Sequence, residues 1–384
     1  MKQGGVKMKS SGLYIHIPFC RSKCIYCDFY SLPGAENMMD DYLRAVIRET
    51  ELRGSRNLPV DTVYFGGGTP SHFGYGRLMI LLREIRKNFT LTEDCEITFE
   101  ANPESVTEDG LGAMRRAGFN RISIGVQSFD DGDLKNLNRP HSALQAVQAV
   151  HTARAAGFEN ISIDLIFALP GQNMERWEKN LNMAADLPIT HLSCYGLTPE
   201  EGTPLVSSPL MELLPDEDVQ ADMYLRCAEV LENRGFEQYE ISNFARCGLY
   251  SRHNMHYWTL SAYIGLGAAA HSDFAGRRSA NKADINEYIG ALREGRLPVE
   301  EELTVSPEER ARERVMLGLR TSRGIISGYF LDEPAFFELA GEYAAHGLGR
   351  LNDDTFSLTP AGYMVSNGII NNFLDIPLGK VTGL

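Results

Sequence analysis

The sequence has no long apolar run. No stretch in its 384 residues approaches the roughly 18 consecutive apolar residues of a membrane-spanning helix. A basic N-terminal segment precedes an apolar run from Leu13 to Phe19, but His16 and Pro18 interrupt this run and no small-residue cleavage site follows it. We therefore expect no transmembrane segment, no secretory signal and a cytoplasmic location.

Positive charge is also in short supply. The chain has 37 Lys and Arg against 51 Asp and Glu, which gives a net charge of −14 at pH 7. Because proteins that bind nucleic acids usually carry a basic face, this balance disfavours a nucleic-acid partner. With 43% hydrophobic and 23% charged residues, the composition excludes a disordered or fibrous protein. The length allows two domains, or one large barrel with an appendage.

Cysteines are few and unevenly placed. Seven is an odd number, which argues against a disulfide framework, and Cys20, Cys24 and Cys27 fall within eight residues. Such crowding is typical of metal ligation in a reducing compartment. A structural zinc site needs four ligands, and His16, a possible fourth, lies inside a predicted strand. A 4Fe–4S cluster with one open iron fits three cysteines better, and an open iron can chelate the amine and carboxylate of a small molecule.

Short β-branched runs alternate with amphipathic helical patterns from Leu13 to about Leu197. This rhythm predicts an α/β fold with six parallel βα units, two fewer than a closed eight-stranded barrel needs. A partial (β/α)6 barrel and a doubly wound sheet both fit. The predicted strands are Tyr14–Ile17, Thr62–Phe65, Glu96–Phe99, Arg121–Val126, Ile161–Phe167 and His191–Tyr195, and the predicted helices are Met38–Arg53, Tyr75–Asn88, Glu108–Ala117, Ser142–Ala156 and Met174–Asp186.

Polar residues cluster where the predicted strands end. Because the loops at the carboxyl ends of barrel strands converge on one mouth, we expect these side chains to form one site. They are, strand by strand, Cys20, Gly66 to Thr69, Glu100 with Asn102, Gln127, Asp164 and Tyr195.

The βα rhythm weakens after Pro215. We expect residues 1–12 to be disordered, 13–215 to form the core barrel, 216–305 to close the open barrel, and 306–384 to form a small winged-helix-like domain. The last assignment rests on a helix start at Ser306-Pro307-Glu308-Glu309 and on a hairpin pattern between Gly347 and Leu358.

The cysteine motif and the motifs after it resemble a known family, the radical S-adenosylmethionine (SAM) proteins. Within this family the sequence is similar to the branch of oxygen-independent coproporphyrinogen III oxidases and related heme chaperones. The likeness extends over nearly the whole chain. The matching segments are Tyr14-Ile-His-Ile-Pro-Phe-Cys20 with Cys24 and Cys27, Tyr64-Phe-Gly-Gly-Gly-Thr-Pro70, Glu100-Ala-Asn-Pro103, Gly125-Val-Gln-Ser-Phe129, Asn138-Arg139 and Ile163-Asp164-Leu-Ile.

The resemblance implies a partial radical SAM barrel with a 4Fe–4S cluster on the three cysteines, SAM on the open iron, and an electron donor for the cluster. A reduced cluster of this kind cleaves SAM to a 5′-deoxyadenosyl radical, and the protein orients the cofactor. Glycines let the backbone approach the methionine amine, carboxyl groups accept hydrogen bonds from the ribose or the amine, and a guanidinium holds a carboxylate. The residues so assigned to SAM are Tyr14, Tyr26, Gly67, Gly68, Thr69, Glu100, Gln127, Arg139 and Asp164.

Two departures separate this chain from the oxidases of the branch. The oxidases carry a further cysteine two residues after the third one, where this chain has Phe29. They also have a long segment before the cluster motif, whereas 19 residues precede Cys20 here. Both departures favour a chaperone that binds heme or a porphyrin and delivers heme to an unidentified acceptor protein. Coproporphyrinogen III oxidation is the alternative, and another radical SAM reaction, on heme or on RNA, is the third hypothesis.

The stretch His253-Asn-Met-His-Tyr-Trp258 matches a motif typical of the chaperones. A neutral imidazole can ligate heme iron, and Tyr257 and Trp258 can abut a porphyrin. We expect this stretch to lie near the barrel mouth, with His253 as the heme ligand and His256 as the second choice. The alternative is a packed aromatic turn in which the histidine is hydrogen-bonded and has no ligand role.

Overall fold

The computed structural model describes residues 10–379. The expected disorder of residues 1–12 therefore lies mostly outside the described residues. For Ser11 and Gly12 the expectation of disorder is wrong, because both residues are buried within the first strand. In residues 10–379, no helix combines the length and the apolar character that crossing a membrane requires.

The predicted βα core is present. Each observed core strand contains the predicted one, and the five predicted helices begin and end within one residue of their expected bounds. In chain order the elements up to residue 196 are β1 (Ser11–Ile17), β2 (Phe19–Cys20), β3 (Leu32–Pro33), α1 (Met39–Arg53), β4 (Pro59–Gly67), α2 (Pro70–Phe73), α3 (Tyr75–Asn88), β5 (Thr90–Ala101), α4 (Glu108–Ala117), β6 (Arg121–Gln127), α5 (Asp131–Asn136), α6 (Ala143–Ala155), β7 (Asn160–Phe167), α7 (Met174–Asp186) and β8 (His191–Gly196).

The core strands have one apolar and one polar face. In β1 the fully buried Leu13, Ile15 and Ile17 belong to the main hydrophobic core, whereas Tyr14, between them in sequence, lines an interior cavity. Since successive side chains of a strand point to opposite faces, this alternation puts the helices outside and the polar residues inside the curved sheet. The inner face is therefore available for a site.

Residues 197–305 extend the sheet at both edges. The sheet order is β14-β13-β12-β11-β1-β4-β5-β6-β7-β8-β10-β9, and among the described residues no pairing joins the two outer strands. The expectation that residues 216–305 close the barrel is therefore wrong, and β11 adds an unpredicted seventh parallel strand beside β1. The elements are α8 (Glu217–Asn233), β9 (Glu237–Glu240), β10 (Asn243–Ala245), α9 (Arg252–Trp258), β11 (Tyr263–Leu266), β12 (His271–Phe274), β13 (Arg277–Asn281), α10 (Ile285–Arg293) and β14 (Val299–Thr304).

The short helix α9 lies at the amino ends of the core strands, which we call the floor of the barrel. Strand β10 runs antiparallel to β8 and ends with Ala245 opposite His191, at the start of β8. Strand β11 then begins with Tyr263 opposite Gly12, at the start of β1. The chain between these strands must therefore cross the floor, and α9 is part of this crossing.

The outer edge of the sheet is strongly acidic. Strand β14 has the sequence VEEELT, and Glu300, Glu301 and Glu302 are exposed. Its inner neighbour β13 supplies Arg277, whose guanidinium lies 3.2 Å from a carboxylate oxygen of Glu302.

The last segment forms the expected helical domain with a small sheet of order β15-β17-β16. The predicted helix start is confirmed, because the Ser306 hydroxyl accepts a hydrogen bond from the Glu309 backbone N–H (3.1 Å) and the Glu309 carboxylate accepts one from the Ser306 N–H (2.8 Å). The predicted hairpin is β16 with β17. The elements are α11 (Pro307–Gly318), β15 (Ile325–Ile326), α12 (Glu333–Ala345), β16 (Gly349–Asn352), β17 (Thr355–Leu358), α13 (Pro360–Met364) and α14 (Ser366–Leu374).

Candidate functional site

A cavity of about 790 Å³ lies inside the curved sheet and extends from the carboxyl ends of the strands to the floor. Its volume is in the range of ligand pockets. The structure brings all of the residues that the sequence assigns to the cluster and to SAM into its lining, together with His253. His256, the second candidate for a heme ligand, is not among the lining residues.

The cysteine loop is held from two sides. The Leu205 N–H donates to the Ile25 carbonyl (2.9 Å), and the Asn138 side-chain amide donates to the Lys23 carbonyl (3.0 Å). Ile25 and Tyr26 also pack against a separate small core. The loop is thus positioned by its neighbours and not by the cysteines alone. That small core consists of Leu137, Ile166, Leu169, Leu197 and Leu205.

The three cysteines form no disulfide within residues 10–379, and two of them have polar neighbours. The Cys20 sulfur lies 3.4 Å from the Thr69 hydroxyl, and the Arg139 guanidinium donates to the Cys24 sulfur at 3.3 Å. Burial raises the pKa of the thiols of Cys20 and Cys27. Iron binding would therefore displace protons from these thiols.

The donor set fits a cluster better than a single ion. In residues 10–379, no three His, Cys, Asp or Glu side chains converge closely enough to hold one metal ion. The ligands of a 4Fe–4S cluster bind different irons, so its thiols need not converge on one point. His16 is not placed as a further ligand, since its ring nitrogens lie 3.0 Å from the Tyr14 hydroxyl and 2.9 Å from the Tyr30 carbonyl.

The glycine loop after β4 has no room for side chains. Gly67 has a φ of +111°, and a Cβ there would lie 2.5 Å from the His16 ring. A Cβ at Gly68 would lie 3.0 Å from the Cys20 sulfur and 2.9 Å from the Ile17 carbonyl oxygen. The glycines are therefore required both by backbone conformation and by close approach to the cluster loop.

Two carboxyl groups lie on the inner face of the sheet. Glu100 accepts hydrogen bonds from the Tyr64 hydroxyl (2.7 Å) and the Gly67 N–H (3.2 Å). Burial raises the pKa of Glu100 to about 7. Burial also raises the pKa of Asp164, which accepts a hydrogen bond from the Ser123 hydroxyl at 3.4 Å. Both groups are therefore poised to gain from ligand donors that favour the ionised form.

Gln127 and Arg139 are held in defined orientations. Gln127 has a φ of +67°, uncommon for a residue with a side chain, and a register shift in the pairing of β6 with β7 accompanies it. One terminal nitrogen of Arg139 donates to the Asn102 side-chain oxygen (2.8 Å) and to the Gly125 carbonyl (2.7 Å). Its buried Nε has no hydrogen-bond partner among the described residues.

His253 lies on the floor, and the expectation that its motif lies at the mouth is wrong. The two ring nitrogens of His253 lie 2.8 Å from the Thr62 hydroxyl and 2.9 Å from the Tyr257 hydroxyl. The ring is 2% exposed and stacks on that of Tyr64, with 5.2 Å between centroids. Burial lowers the pKa of His253 to about 3, so the ring is neutral. This geometry matches the packed aromatic turn and gives no free nitrogen for heme iron.

Three lining residues were missed as functional candidates or were given no role. Asn102 links Arg139 to the Thr69 hydroxyl (3.3 Å), and Tyr64 positions Glu100. Both lie in the quoted motifs, so the motifs carried a signal for them. Arg121 also lines the cavity, but as the first residue of a predicted strand it resembles an ordinary strand-end arginine.

Comparisons with known proteins agree with this fold. The sequence profile of the Radical SAM superfamily matches residues 14–184, and that of the HemN C-terminal domain matches residues 305–365. The chain is 34% identical over 380 residues to the heme chaperone HemW of Bacillus subtilis (strain 168), covering 96% of this chain and 99% of that protein. It is 40% identical over 270 residues to HemW of Escherichia coli (strain K12), covering 69% and 71%.

A solved structure shares the fold. The coproporphyrinogen III oxidase HemN from Escherichia coli, a radical SAM enzyme, superimposes with a TM-score of 0.83 at 22% identity, covering 95% of this chain and 90% of that chain. The chain belongs to the radical SAM superfamily and, within it, to the HemW-type proteins.

We predict that His253→Ala lowers the free energy of unfolding by about 2–4 kcal/mol, because it leaves a void and deprives the Thr62 and Tyr257 hydroxyls of their partner. Heme affinity should stay within about twofold of the wild-type value. Denaturant unfolding and heme titration measure the two effects. As the control, His151→Ala on the exposed face of α6 should change stability by less than about 0.5 kcal/mol. Loss of heme binding at unchanged stability would restore His253 as a ligand.

Proposed function

We propose that this chain is a cytoplasmic heme chaperone that carries a SAM-ligated 4Fe–4S cluster, binds heme and delivers it to an acceptor protein. The observation that carries the proposal is the 34% identity to the Bacillus subtilis heme chaperone HemW across 99% of that protein. The proposal is also supported by the three cysteines and the SAM-assigned residues, which all line one cavity.

The residues of the cavity fit the two cofactors. Cys20, Cys24 and Cys27 would hold the cluster, which when bound supplies an electron to the sulfonium of SAM. Arg139, already oriented by Asn102, would hold the SAM carboxylate as a planar fork. Glu100 would accept hydrogen bonds from the SAM hydroxyls or amine.

Exposed aromatic side chains among the cavity-lining residues support binding of a flat apolar ligand. Phe29, two residues after Cys27, is 70% exposed, and Tyr195 near the end of β8 is 45% exposed. Apolar groups of this size are usually buried, so exposed ones beside a cavity indicate a binding surface. A porphyrin ring would cover them.

Oxidation of coproporphyrinogen III is the competing activity. Phe29 stands where the resemblance places a further cysteine in the oxidases, and a phenyl ring can neither ligate iron nor donate a proton. The likeness to HemN at 22% identity concerns the fold. Porphyrin binding without oxidation is therefore the proposed outcome, since binding alone does not stabilise a transition state.

The cluster assignment predicts that alanine at any one of Cys20, Cys24 or Cys27 abolishes the broad visible absorbance and the iron and sulfide content of the anaerobically reconstituted protein. Cys247→Ala is the control, because Cys247 is an exposed cysteine outside the loop. Cys95, Cys194 and Cys227 are buried elsewhere, and their replacement should also leave the cluster in place. Unchanged iron and sulfide in all three loop variants would refute the assignment.

The chaperone assignment predicts heme binding without oxidase turnover. Heme added to the purified chain should give a Soret band at stoichiometric saturation, and the heme-loaded chain should pass heme to a heme-free acceptor such as apomyoglobin. Under reducing, anaerobic conditions with SAM and coproporphyrinogen III, no protoporphyrinogen IX should form. Stoichiometric product would establish the oxidase, and absence of heme binding would refute the chaperone.

The role of Glu100 predicts a pH dependence of SAM affinity. With its pKa raised to about 7, this carboxyl is largely protonated at pH 6 and ionised at pH 8. Ligand donors favour the ionised form, so SAM affinity should rise about tenfold from pH 6 to pH 8. Glu100→Gln should remove this dependence, whereas Glu93→Gln, an exposed control on the same strand, should retain it. Isothermal titration at pH 6 and pH 8 measures the SAM affinity. An equal pH dependence of this affinity in wild type, Glu100→Gln and Glu93→Gln would contradict the role of Glu100.

A further inference from the structure

Arg121 is a buried cation that lacks an anionic partner. It is the first residue of β6, its side chain is 2% exposed, and it lines the cavity. Its Nε has no hydrogen-bond partner within residues 10–379. Among the described residues, no carboxylate lies within ion-pair distance of its guanidinium.

A second buried arginine shows what is missing at this position. Arg310 is equally buried at 2% exposure, and its two terminal nitrogens each donate to one oxygen of Asp273 at 2.8 Å. This bidentate pair is the usual arrangement for a buried guanidinium. Burial of a guanidinium without such a partner is destabilising, and a bound anion would offset this cost.

The nearest carboxyl groups do not take this place. Glu100 is engaged by the Tyr64 hydroxyl and the Gly67 N–H, and Asp164 by Ser123. Both interact with Arg121 only through space, and burial keeps the pKa of each above its ordinary value. The positive charge of Arg121 is therefore not matched by a contact with a carboxylate in the described part of the chain.

The two histidines near Arg121 are neutral. His191 lies between the Ser162 hydroxyl (2.8 Å) and the Tyr239 hydroxyl (2.7 Å), and His253 is bonded on both nitrogens as described. Burial lowers the pKa of both histidines. Of the three cationic residues that line the cavity, Lys23 lies in the cysteine loop and Arg139 contacts Cys24. Arg121 is the one at the amino end of its strand.

We propose that Arg121 binds the carboxylate of a ligand whose acidic end reaches the inner half of the cavity. A planar guanidinium matches a carboxylate through two parallel hydrogen bonds, which favours this anion over a halide. Arg139, at the cluster loop, is assigned the carboxylate of SAM, so the carboxylate at Arg121 comes from a propionate of a porphyrin. This source rests on the proposed function.

The test compares each acid with its uncharged analogue. Binding of SAM and of decarboxylated SAM, and of mesoheme and its dimethyl ester in one detergent, is measured for wild type, Arg121→Met and Arg121→Lys. Arg116→Met on the exposed face of α4 is the matched control. We expect Arg121→Met to weaken mesoheme binding at least tenfold and to leave binding of the dimethyl ester, of SAM and of decarboxylated SAM within about twofold of wild type. Arg121→Lys keeps the positive charge but cannot form the two parallel hydrogen bonds of a guanidinium. It should therefore weaken mesoheme binding less than Arg121→Met does.

Thermal unfolding separates this role from a structural one. Without ligand, Arg121→Met should melt no lower than wild type, because it removes an unpaired buried charge. Equal losses for mesoheme and its dimethyl ester, no loss for either, a loss confined to SAM, or a melting temperature several degrees below that of wild type with loss of the cluster would overturn the proposal. If Arg121→Met does not fold, the same acid-against-analogue comparison in Arg121→Lys decides. Failure of wild type to bind mesoheme would refute the chaperone function and this proposal together, whereas equal mesoheme affinity of wild type and Arg121→Met would refute this proposal alone.

Discussion

The parallel pairing of β11 with β1 is the constraint on which the arrangement of this cavity depends. It requires the chain to return to the amino end of β1 before β11 begins, since Tyr263 lies opposite Gly12. Helix α9 is thereby committed to the floor, while the cysteine loop follows the carboxyl end of the same strand. The amino end of β1 therefore lies beside the aromatic residues of α9, and its carboxyl end leads into the cysteine loop.

The inner face of the sheet consists largely of polar groups that satisfy one another. The Tyr64 hydroxyl with Glu100 and the Thr62 hydroxyl with His253 are pairs of this kind, and both belong to strand β4. In a low-dielectric interior such pairs fix side-chain orientation, because breaking one leaves a buried polar group without a partner. Among the described buried atoms without a partner, Nε of Arg139 and Nε of Arg121 belong to cavity-lining residues and are available to a ligand.

The parallel core and the cysteine loop were predictable from sequence, because each depends on local signals. Apolar runs of four to seven residues and glycine stops define the strands, and closely spaced cysteines define the loop. The position of α9 was not predictable, since it depends on β11, whose four residues Tyr263–Leu266 include a glycine and give no clear strand pattern. The lack of an ion-pair partner for Arg121 was equally unpredictable, because the sequence shows only that an arginine begins a strand.

The acidic strand β14 has a consequence for the solution behaviour of the molecule. In residues 10–379 the twelve-stranded sheet does not close, so its edge strands offer backbone groups to which a second copy could add. Three consecutive exposed glutamates on β14 would face the same three from a second copy. Like charges directly opposite each other are destabilising in a sheet, so β14 disfavours pairing with β14 of a second copy.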